Sequence, residues 1–117
     1  MRIPPEVMAE AEGLLLEYCG DRVSPEVRDQ IRLEVEKNVD SLTIVERRPP
    51  WQPDDPDPSW SKLLVARFRY DPLHANWALE WPDSDLDWHP YTGIVPSPDI
   101  MDLLEEVDTD PTGIFYG

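Results

Sequence analysis

The sequence has no lysine or arginine after Arg69, although it runs for 117 residues. All ten basic residues lie in positions 1–69, whereas residues 70–117 contain eleven acidic side chains. The formal net charge of -15 therefore divides into -4 for residues 1–70 and -11 for the remainder. An acidic half of this kind repels bare phosphate and anionic membranes, and it favours contact with a cation or a basic protein surface.

Other residues and patterns are scarce too. The single cysteine, Cys19, excludes an intramolecular disulfide and a cysteine metal cluster. The five scattered glycines form no phosphate-binding loop. No apolar run is long enough to span a bilayer, and the N-terminus lacks the apolar stretch of a signal peptide. We therefore expect a soluble cytoplasmic protein with no membrane partner, no metal and no cofactor.

Periodic apolar residues predict three helices within a single domain over 1–117. The first helix covers 4–18, with Pro4-Pro5-Glu6 at its start and Gly20 as its stop. The second begins at Ser24-Pro25-Glu26 and completes a helical part over 4–38; its stripe is Val27, Ile31, Val35 and Val39. The third runs from Ser97 to about Val107 within a C-terminal part over 97–117, with Ile100, Met101, Leu103, Leu104 and Val107 facing inward.

Alternating residues predict an antiparallel sheet over 41–91, interrupted by a Pro/Asp-rich loop at 49–59. If Tyr70 faces Trp77 and Trp81 faces Leu86, one face carries the apolar row Phe68, Leu79 and Trp88, and the other carries Arg67, Glu80 and Asp87. The predicted fold is therefore α+β, with two N-terminal helices and one C-terminal helix packed on a three- to four-stranded antiparallel sheet. The core is expected to contain this apolar row together with Trp77 and Trp81.

Four acids crowd the end of the third helix, where the helix dipole disfavours negative charge: Glu105, Glu106, Asp108 and Asp110. Either Arg47 or Arg48 folds back onto this end, or the acids are presented to a partner. Since no catalytic set accompanies them, our main hypothesis is a non-enzymatic module that binds a basic protein. Its surface would combine these four acids with Asp54, Asp55 and Asp57, and imitation of DNA charge is one form that such binding could take.

The alternative is an enzyme or small-ligand binder that uses one face of the sheet, with His89, Arg67, Arg69 and Asp87 as its residues. Arg47, Arg48, Arg67 and Arg69 also suggest a basic nucleic-acid surface, but the surplus of carboxylates favours internal ion pairs, so direct nucleic-acid binding is not expected. Asp83-Ser84-Asp85-Leu86-Asp87 begins like a calcium loop but lacks its glycine and its final glutamate.

An ordered series of short motifs resembles a family of small bacterial proteins. The motifs are Glu46-Arg47-Arg48-Pro49-Pro50-Trp51, Arg67-Phe68-Arg69-Tyr70, Trp77-x-Leu79-x-Trp81, Trp88-His89-x-Tyr91 and the ending Asp110-Pro111-Thr112-Gly113-Ile114-Phe115-Tyr116-Gly117. The family is the domain-of-unknown-function family numbered three thousand and twenty-four, and the resemblance covers most of 28–117. Its members tend to have basic residues in the last hairpin, where this chain has Pro82-Asp83-Ser84-Asp85. The resemblance implies no activity.

Overall fold

The computed structural model describes residues 2–49 and 61–116, which form two helices and five strands. Helix α1 spans Pro5–Arg22, and a short 3-10 turn follows at Pro25–Val27. The strands are β1 (Arg32–Lys37), β2 (Ser41–Arg48), β3 (Ser61–Asp71), β4 (Asn76–Pro82) and β5 (Trp88–Pro90). Helix α2 spans Ile100–Thr109. Most of the predicted Pro/Asp-rich loop at 49–59, including Trp51, lies outside the described residues.

The strands form one antiparallel sheet in the order β1-β2-β3-β4-β5, so each strand pairs with its neighbour in sequence. Both helices pack on the same face of this sheet and share one apolar core with it. The largest fully buried side chains of that core include Phe68 and Leu42 of the sheet, Leu15 of α1 and Leu103 of α2. The α+β class and the antiparallel sheet are as predicted, whereas the numbers of helices and strands differ.

The predicted second helix is wrong: after the 3-10 turn at Pro25–Val27 the chain forms strand β1. Residues four positions apart lie on one face of a helix, but they also share a face in a strand, because four is a multiple of two. The stripe that includes Ile31 and Val35 therefore fits both structures. Leu33, which is off the stripe in a helix, joins Val35 against the core in the strand. The Leu33–Val35 alternation was the signal that distinguished the two.

The register between β3 and β4 is confirmed, with Arg67 opposite Glu80 and Tyr70 opposite Trp77. The predicted register between β4 and β5 is wrong, because Trp81 pairs with His89 rather than with Leu86. A shift of three residues is odd, so it exchanges the faces of β5.

This exchange changes which aromatic residue completes the core row. Tyr91, whose N–H donates to the Leu79 carbonyl, is 7% exposed beside that row. Trp88 lies on the other face, 4.7 Å from its ring centroid to the Arg67 guanidinium carbon, and Trp81 is only half-buried. Of the five predicted core positions, Phe68, Leu79 and Trp77 are buried.

The turn chemistry of Asp83 explains the longer β4–β5 loop. Its Oδ1 accepts hydrogen bonds from the backbone N–H groups of Asp85 (2.8 Å) and Asp87 (3.0 Å). Leu86 completes the turn with a φ of 67°. The loop therefore extends beyond the predicted turn at 82–85, and β5 begins at Trp88. A side chain that binds the backbone two and four residues ahead is a property of Asp that simple counting of turn residues does not capture.

Helix α1 is longer than predicted, and helix α2 begins and ends later than predicted. Helix α1 passes through Gly20 and ends at Arg22, because Cys19 is buried in the core and Arg22 has a partner on α2. Helix α2 begins at Ile100 rather than at Ser97, and Asp99 caps it, with Oδ1 accepting from the Met101 N–H at 3.0 Å. Its predicted inward residues are buried except Met101, which is 45% exposed. Within the described residues, neither helix has the length and apolar character needed to cross a membrane.

Candidate functional site

A groove runs along the junction of α1 and α2. Two adjoining hollows of about 540 Å³ and about 350 Å³ make it up, and both are lined by Tyr18, Met101 and Asp108. We call this feature the helix groove. Its apolar lining is Leu14, Tyr18, Met101 and Leu104, and its acidic lining is Glu17, Asp21, Asp102, Glu105 and Asp108.

The spacing of residues along each helix places these side chains on facing sides. On α1, Leu14, Tyr18 and Asp21 are four and three residues apart and therefore lie on one side of the helix. On α2, Met101, Glu105 and Asp108 follow the same rule. The buried stripes of both helices lie beside these positions, so the groove occupies the border between core and solvent.

The groove is strongly negative, since Arg22 is the only basic residue among its lining residues. Arg22 is already paired, with Nη1 2.6 Å from Asp108 Oδ1, and the two side chains are 36% and 50% exposed. The carboxylates of Glu17 and Asp21 form no hydrogen bond or ion pair with the part of the chain that the structure describes. Five acidic side chains against one paired arginine leave the lining at -4.

At Tyr18 the groove adjoins a hydrogen-bonded contact between α1 and the C-terminal segment. The Tyr18 hydroxyl lies 2.8 Å from that of Tyr116 and 3.3 Å from the Asp108 carboxylate. The Arg22 guanidinium carbon stacks 4.1 Å from the centroid of the Tyr116 ring. Burial raises the pKa of Tyr18 above its ordinary value, and the Tyr116 hydrogen bond raises it further. Tyr18 is therefore a neutral, uncharged part of the apolar lining.

The four acids predicted as a partner surface occupy different environments. Glu106 accepts a 2.7 Å hydrogen bond from the Tyr91 hydroxyl. Asp110 ends α2 in the left-handed conformation, and its carboxylate accepts from two backbone N–H groups of the C-terminal segment at 3.1 and 2.8 Å. Asp108 pairs with Arg22, and Glu105 is exposed on the groove. Only Glu105 and Asp108 of this set line the helix groove.

The expectation that Arg47 or Arg48 folds back onto the end of α2 is wrong, because Arg22 fills that position. Arg47 instead lies 2.9 Å from Glu34, and Arg48 lies 3.3 Å from Glu46. The other predicted acidic residues, Asp54, Asp55 and Asp57, lie outside the described residues. Of the acids at the end of α2, Asp108 is held by Arg22 of α1, Glu106 by Tyr91, and Asp110 by the backbone of the C-terminal segment.

The residues of the alternative site do not converge. Arg67 and Arg69 lie on one face of the sheet, at 2.6 and 3.6 Å from Glu80 Oε1. By the β4–β5 register, His89 lies on the opposite face, where its ring stacks on Trp81 at 4.8 Å between centroids.

The other two residues of the alternative site, His89 and Asp87, both bind Asp83. Nε2 of His89 lies 2.6 Å from Asp83 Oδ2, and this hydrogen bond is the largest cause of the lowered pKa of Asp83. Asp87 lies in the β4–β5 turn, where its backbone N–H binds Asp83. The four arginines predicted to form internal ion pairs do so: Arg47, Arg48, Arg67 and Arg69. Among the described residues, no group of three or more His, Cys, Asp or Glu side chains could hold a metal ion.

Sequence reasoning missed the contribution of α1 to the groove. Leu14 and Tyr18 are half-buried, and no pattern in the sequence assigned a role to Glu17, Asp21 or Asp102. The available signal was the acidic side of α1, which continues the excess of acids on α2. The acidic sides of the two helices form one surface only because α1 and α2 pack beside each other.

Comparison with known proteins gives one result. A family model with the description Domain of unknown function (DUF3024) matches residues 3–117, which is nearly the whole chain. No curated protein and no solved structure gives a significant match. The match agrees with the resemblance carried by the motifs from Glu46 to Gly117. The chain therefore belongs to the DUF3024 family.

Proposed function

We propose that this protein is a non-enzymatic module that binds a basic, amphipathic segment of another protein in the helix groove. The observation that carries the proposal is the combination of an apolar lining with five carboxylates in one concave surface. Either feature alone is common on protein surfaces, but together they match a partner that has one apolar side and one basic side.

The two parts of the lining have different tasks in such a complex. Burial of apolar side chains against Leu14, Tyr18 and Met101 supplies most of the free energy of binding. The carboxylates increase the association rate and select against acidic segments. A helix laid in a hydrophobic groove is a recurrent mode of peptide recognition. Helix α2, with ten residues, is about 15 Å long and offers room for about three turns of such a helix.

The proposal keeps the predicted class of partner but moves the centre of the surface. Glu105 and Asp108 remain in it, whereas Glu106 and Asp110 satisfy hydrogen bonds within the protein. Imitation of DNA charge receives less support, because an array of phosphate-like charges has no use for an apolar lining.

The alternative of an enzyme on the sheet is weaker than the groove hypothesis. Arg67 and Arg69 are paired with Glu80, and His89 is bonded to Asp83 on the other face, so the histidine and the arginines do not face one substrate position. General acid–base chemistry needs its groups within hydrogen-bond reach of one substrate.

Fluorescence anisotropy with designed peptides tests the proposal. The probe is a labelled Lys/Leu peptide with a helical apolar stripe, and the matched control is the same composition scrambled to remove the stripe. We expect saturable binding of the striped peptide that weakens as salt is added. The double variant Asp21→Lys/Glu105→Lys should lose at least about tenfold in affinity, which corresponds to about 1.4 kcal/mol.

Two controls make the result decisive. Asp85→Lys, in the β4–β5 loop outside the groove, makes the same change of charge per residue and should leave the affinity within about twofold. Met101→Ala keeps every charge but removes part of the apolar lining and should weaken the striped peptide alone. Equal binding of striped and scrambled peptides, or an equal loss in Asp85→Lys, would refute specific recognition by the groove.

A further inference from the structure

A smaller hollow lies beyond the end of the helix groove, where α1 meets the β3–β4 hairpin and the start of α2. It has a volume of about 140 Å³, and Leu14 lines both it and the groove. Two aromatic residues, Tyr70 and Trp77, and two acids, Glu10 and Asp99, are part of its lining. We call it the aromatic cavity.

The aromatic residues of this cavity are held rigidly. Tyr70 and Trp77 are directly opposite each other on β3 and β4, and their ring centroids lie 4.9 Å apart at an interplanar angle of 57°. Trp77 also exchanges two backbone hydrogen bonds with Ser97, of 2.7 and 2.9 Å, and is only 3% exposed. Trp77 therefore backs the cavity as a fixed wall, and the half-buried Tyr70 ring supplies more of the aromatic surface that a ligand can reach.

The charge of the lining is negative only. Glu10 is exposed on α1 and makes no hydrogen bond or ion pair within residues 2–49 and 61–116. Asp99 uses Oδ1 to cap α2, at 3.0 Å from the Met101 N–H, and its second oxygen has no bond to this described part of the chain. No lysine, arginine or histidine belongs to the lining.

Aromatic rings combined with carboxylates are the chemistry that recognises organic cations. The faces of Trp and Tyr rings attract ammonium and guanidinium groups, and the attraction grows when the cation is removed from water. A cavity of about 150 Å³ holds a benzene-sized group, so about 140 Å³ is sufficient for a guanidinium or an alkylammonium head. An anion would be repelled, because the charged side chains of the lining are both carboxylates.

We propose that the aromatic cavity binds the cationic head of an arginine or lysine side chain, carried by the segment that occupies the helix groove. Leu14 is part of both linings, so the two hollows adjoin at this residue and a side chain of a segment in the groove has the cavity beside it. Recognition of the head group depends on the cavity alone. Only its source, a side chain of the bound segment, rests on the proposed function.

The first experiment uses small probes that do not need the groove. The intact ¹⁵N-labelled protein is titrated with n-butylguanidinium and n-butylammonium, with 1-butanol as the neutral control. The indole N–H resonance of Trp77, assigned with the Trp77→Phe variant, reports on the cavity. We expect both cations, but not butanol, to shift it saturably. Absence of a shift with both cations, or an equal shift with butanol, overturns the proposal.

Conservative variants test the role of the two acids. The double variant Glu10→Gln/Asp99→Asn keeps the α2 cap, because Asn is as good a cap as Asp. It should weaken cation binding about tenfold, the combined effect of two partly exposed charge contacts. Asp85→Asn, outside the cavity, is the control for loss of charge. An unchanged affinity in the double variant overturns the assignment of Glu10 and Asp99.

The second experiment identifies the source of the cation and separates the two proposals. If the segment supplies it, Glu10→Gln/Asp99→Asn weakens the striped peptide as well as the small cations. If small cations lose affinity but the peptide does not, the cavity binds a free alkylamine or guanidine, and the peptide-borne source is refuted. Asp21→Lys/Glu105→Lys should weaken peptide binding at least about tenfold while small cations still shift Trp77, so failure of the groove does not hide success of the cavity.

Discussion

Replacement of Gly93 by alanine is expected to destabilise the protein through one identifiable collision. A Cβ atom at this position would lie 2.5 Å from Tyr91 Oη and 2.6 Å from Cζ, closer than carbon and oxygen atoms approach. The Tyr91 ring cannot turn aside freely, because it packs against Phe115 with centroids 5.1 Å apart and is 7% exposed. Its hydroxyl also donates to Glu106 at 2.7 Å.

The expected magnitude follows from these contacts. Forcing extra atoms into a packed site costs about 1–3 kcal/mol. Displacement of the ring also strains or breaks a hydrogen bond to a carboxylate, a class of bond that contributes about 1.5–3 kcal/mol. A partial shift of the Tyr91 ring relieves the steric collision but weakens the hydrogen bond to Glu106, so the two costs do not add in full. We therefore expect Gly93→Ala to lower the free energy of unfolding by about 2–4 kcal/mol.

Urea unfolding followed by tryptophan fluorescence measures this change, with a constant m-value as the check on two-state behaviour. Gly13→Ala and Gly20→Ala are matched controls, because nothing lies within 4 Å of a Cβ at either position of α1. Each should stabilise the helix by about 0.5–1 kcal/mol.

A double-mutant cycle isolates the collision from other effects of the substitution. In a Tyr91→Ala background, Gly93→Ala should cost almost nothing, because the colliding ring is gone. If the substitution costs as much there as in the native protein, the ring is not the cause and the reasoning is refuted.

Three further results are expected. Glu80→Gln should destabilise by about 1–3 kcal/mol in urea unfolding, because it leaves Arg67 partly buried without a full counter-charge. Hydrogen bonding by His89 lowers the pKa of Asp83 in the native state below its ordinary value of 3.8. The ionised carboxylate therefore stabilises the native state above that pH, and this stabilisation is lost as the pH falls through the lower native pKa. Asp83→Asn should remove this loss and so flatten the acid side of a plot of unfolding free energy against pH. Cys19, whose pKa burial raises to about 11, should react with a thiol reagent at pH 8 only after urea unfolds the protein.

Each of these expectations has an outcome that contradicts it. A loss at Glu80 no larger than that in Lys62→Gln, which breaks an exposed pair with Glu36, would show that the Arg67 contact contributes little. An acid side of that plot left unchanged by Asp83→Asn would remove Asp83 as its cause. Rapid labelling of Cys19 in the native protein would mean that its burial is often interrupted.

The sequence predicted the parts of the fold in which local and tertiary preferences agree. The β3–β4 hairpin is short, and alternation on both strands leaves one register that sorts the apolar residues, so Arg67 opposite Glu80 could be placed in advance. The buried side of α2 followed from its periodicity in the same way, because periodicity is a property of neighbouring residues in the sequence.

The parts that could not be predicted depend on ambiguous or distant information. A four-residue stripe does not distinguish a helix from β1, and the backbone bonds of Asp83 moved the β5 register. The helix groove was out of reach for another reason. Its two sides come from Glu17 and Glu105, far apart in the chain, and only packing against a common sheet makes them neighbours.

The contacts that α1 makes with Asp108 and Tyr116 have a consequence for how the protein is made. Arg22 and Asp108 are separated by 86 residues in sequence, and Tyr18 and Tyr116 by 98. Synthesis releases α1 first, and the hairpins of the sheet need only short loop closures, whereas these contacts close the longest loops. Until α2 has left the ribosome, the groove has only one of its two sides. A partner that requires both sides would therefore bind only after α2 has been synthesised and has folded against α1.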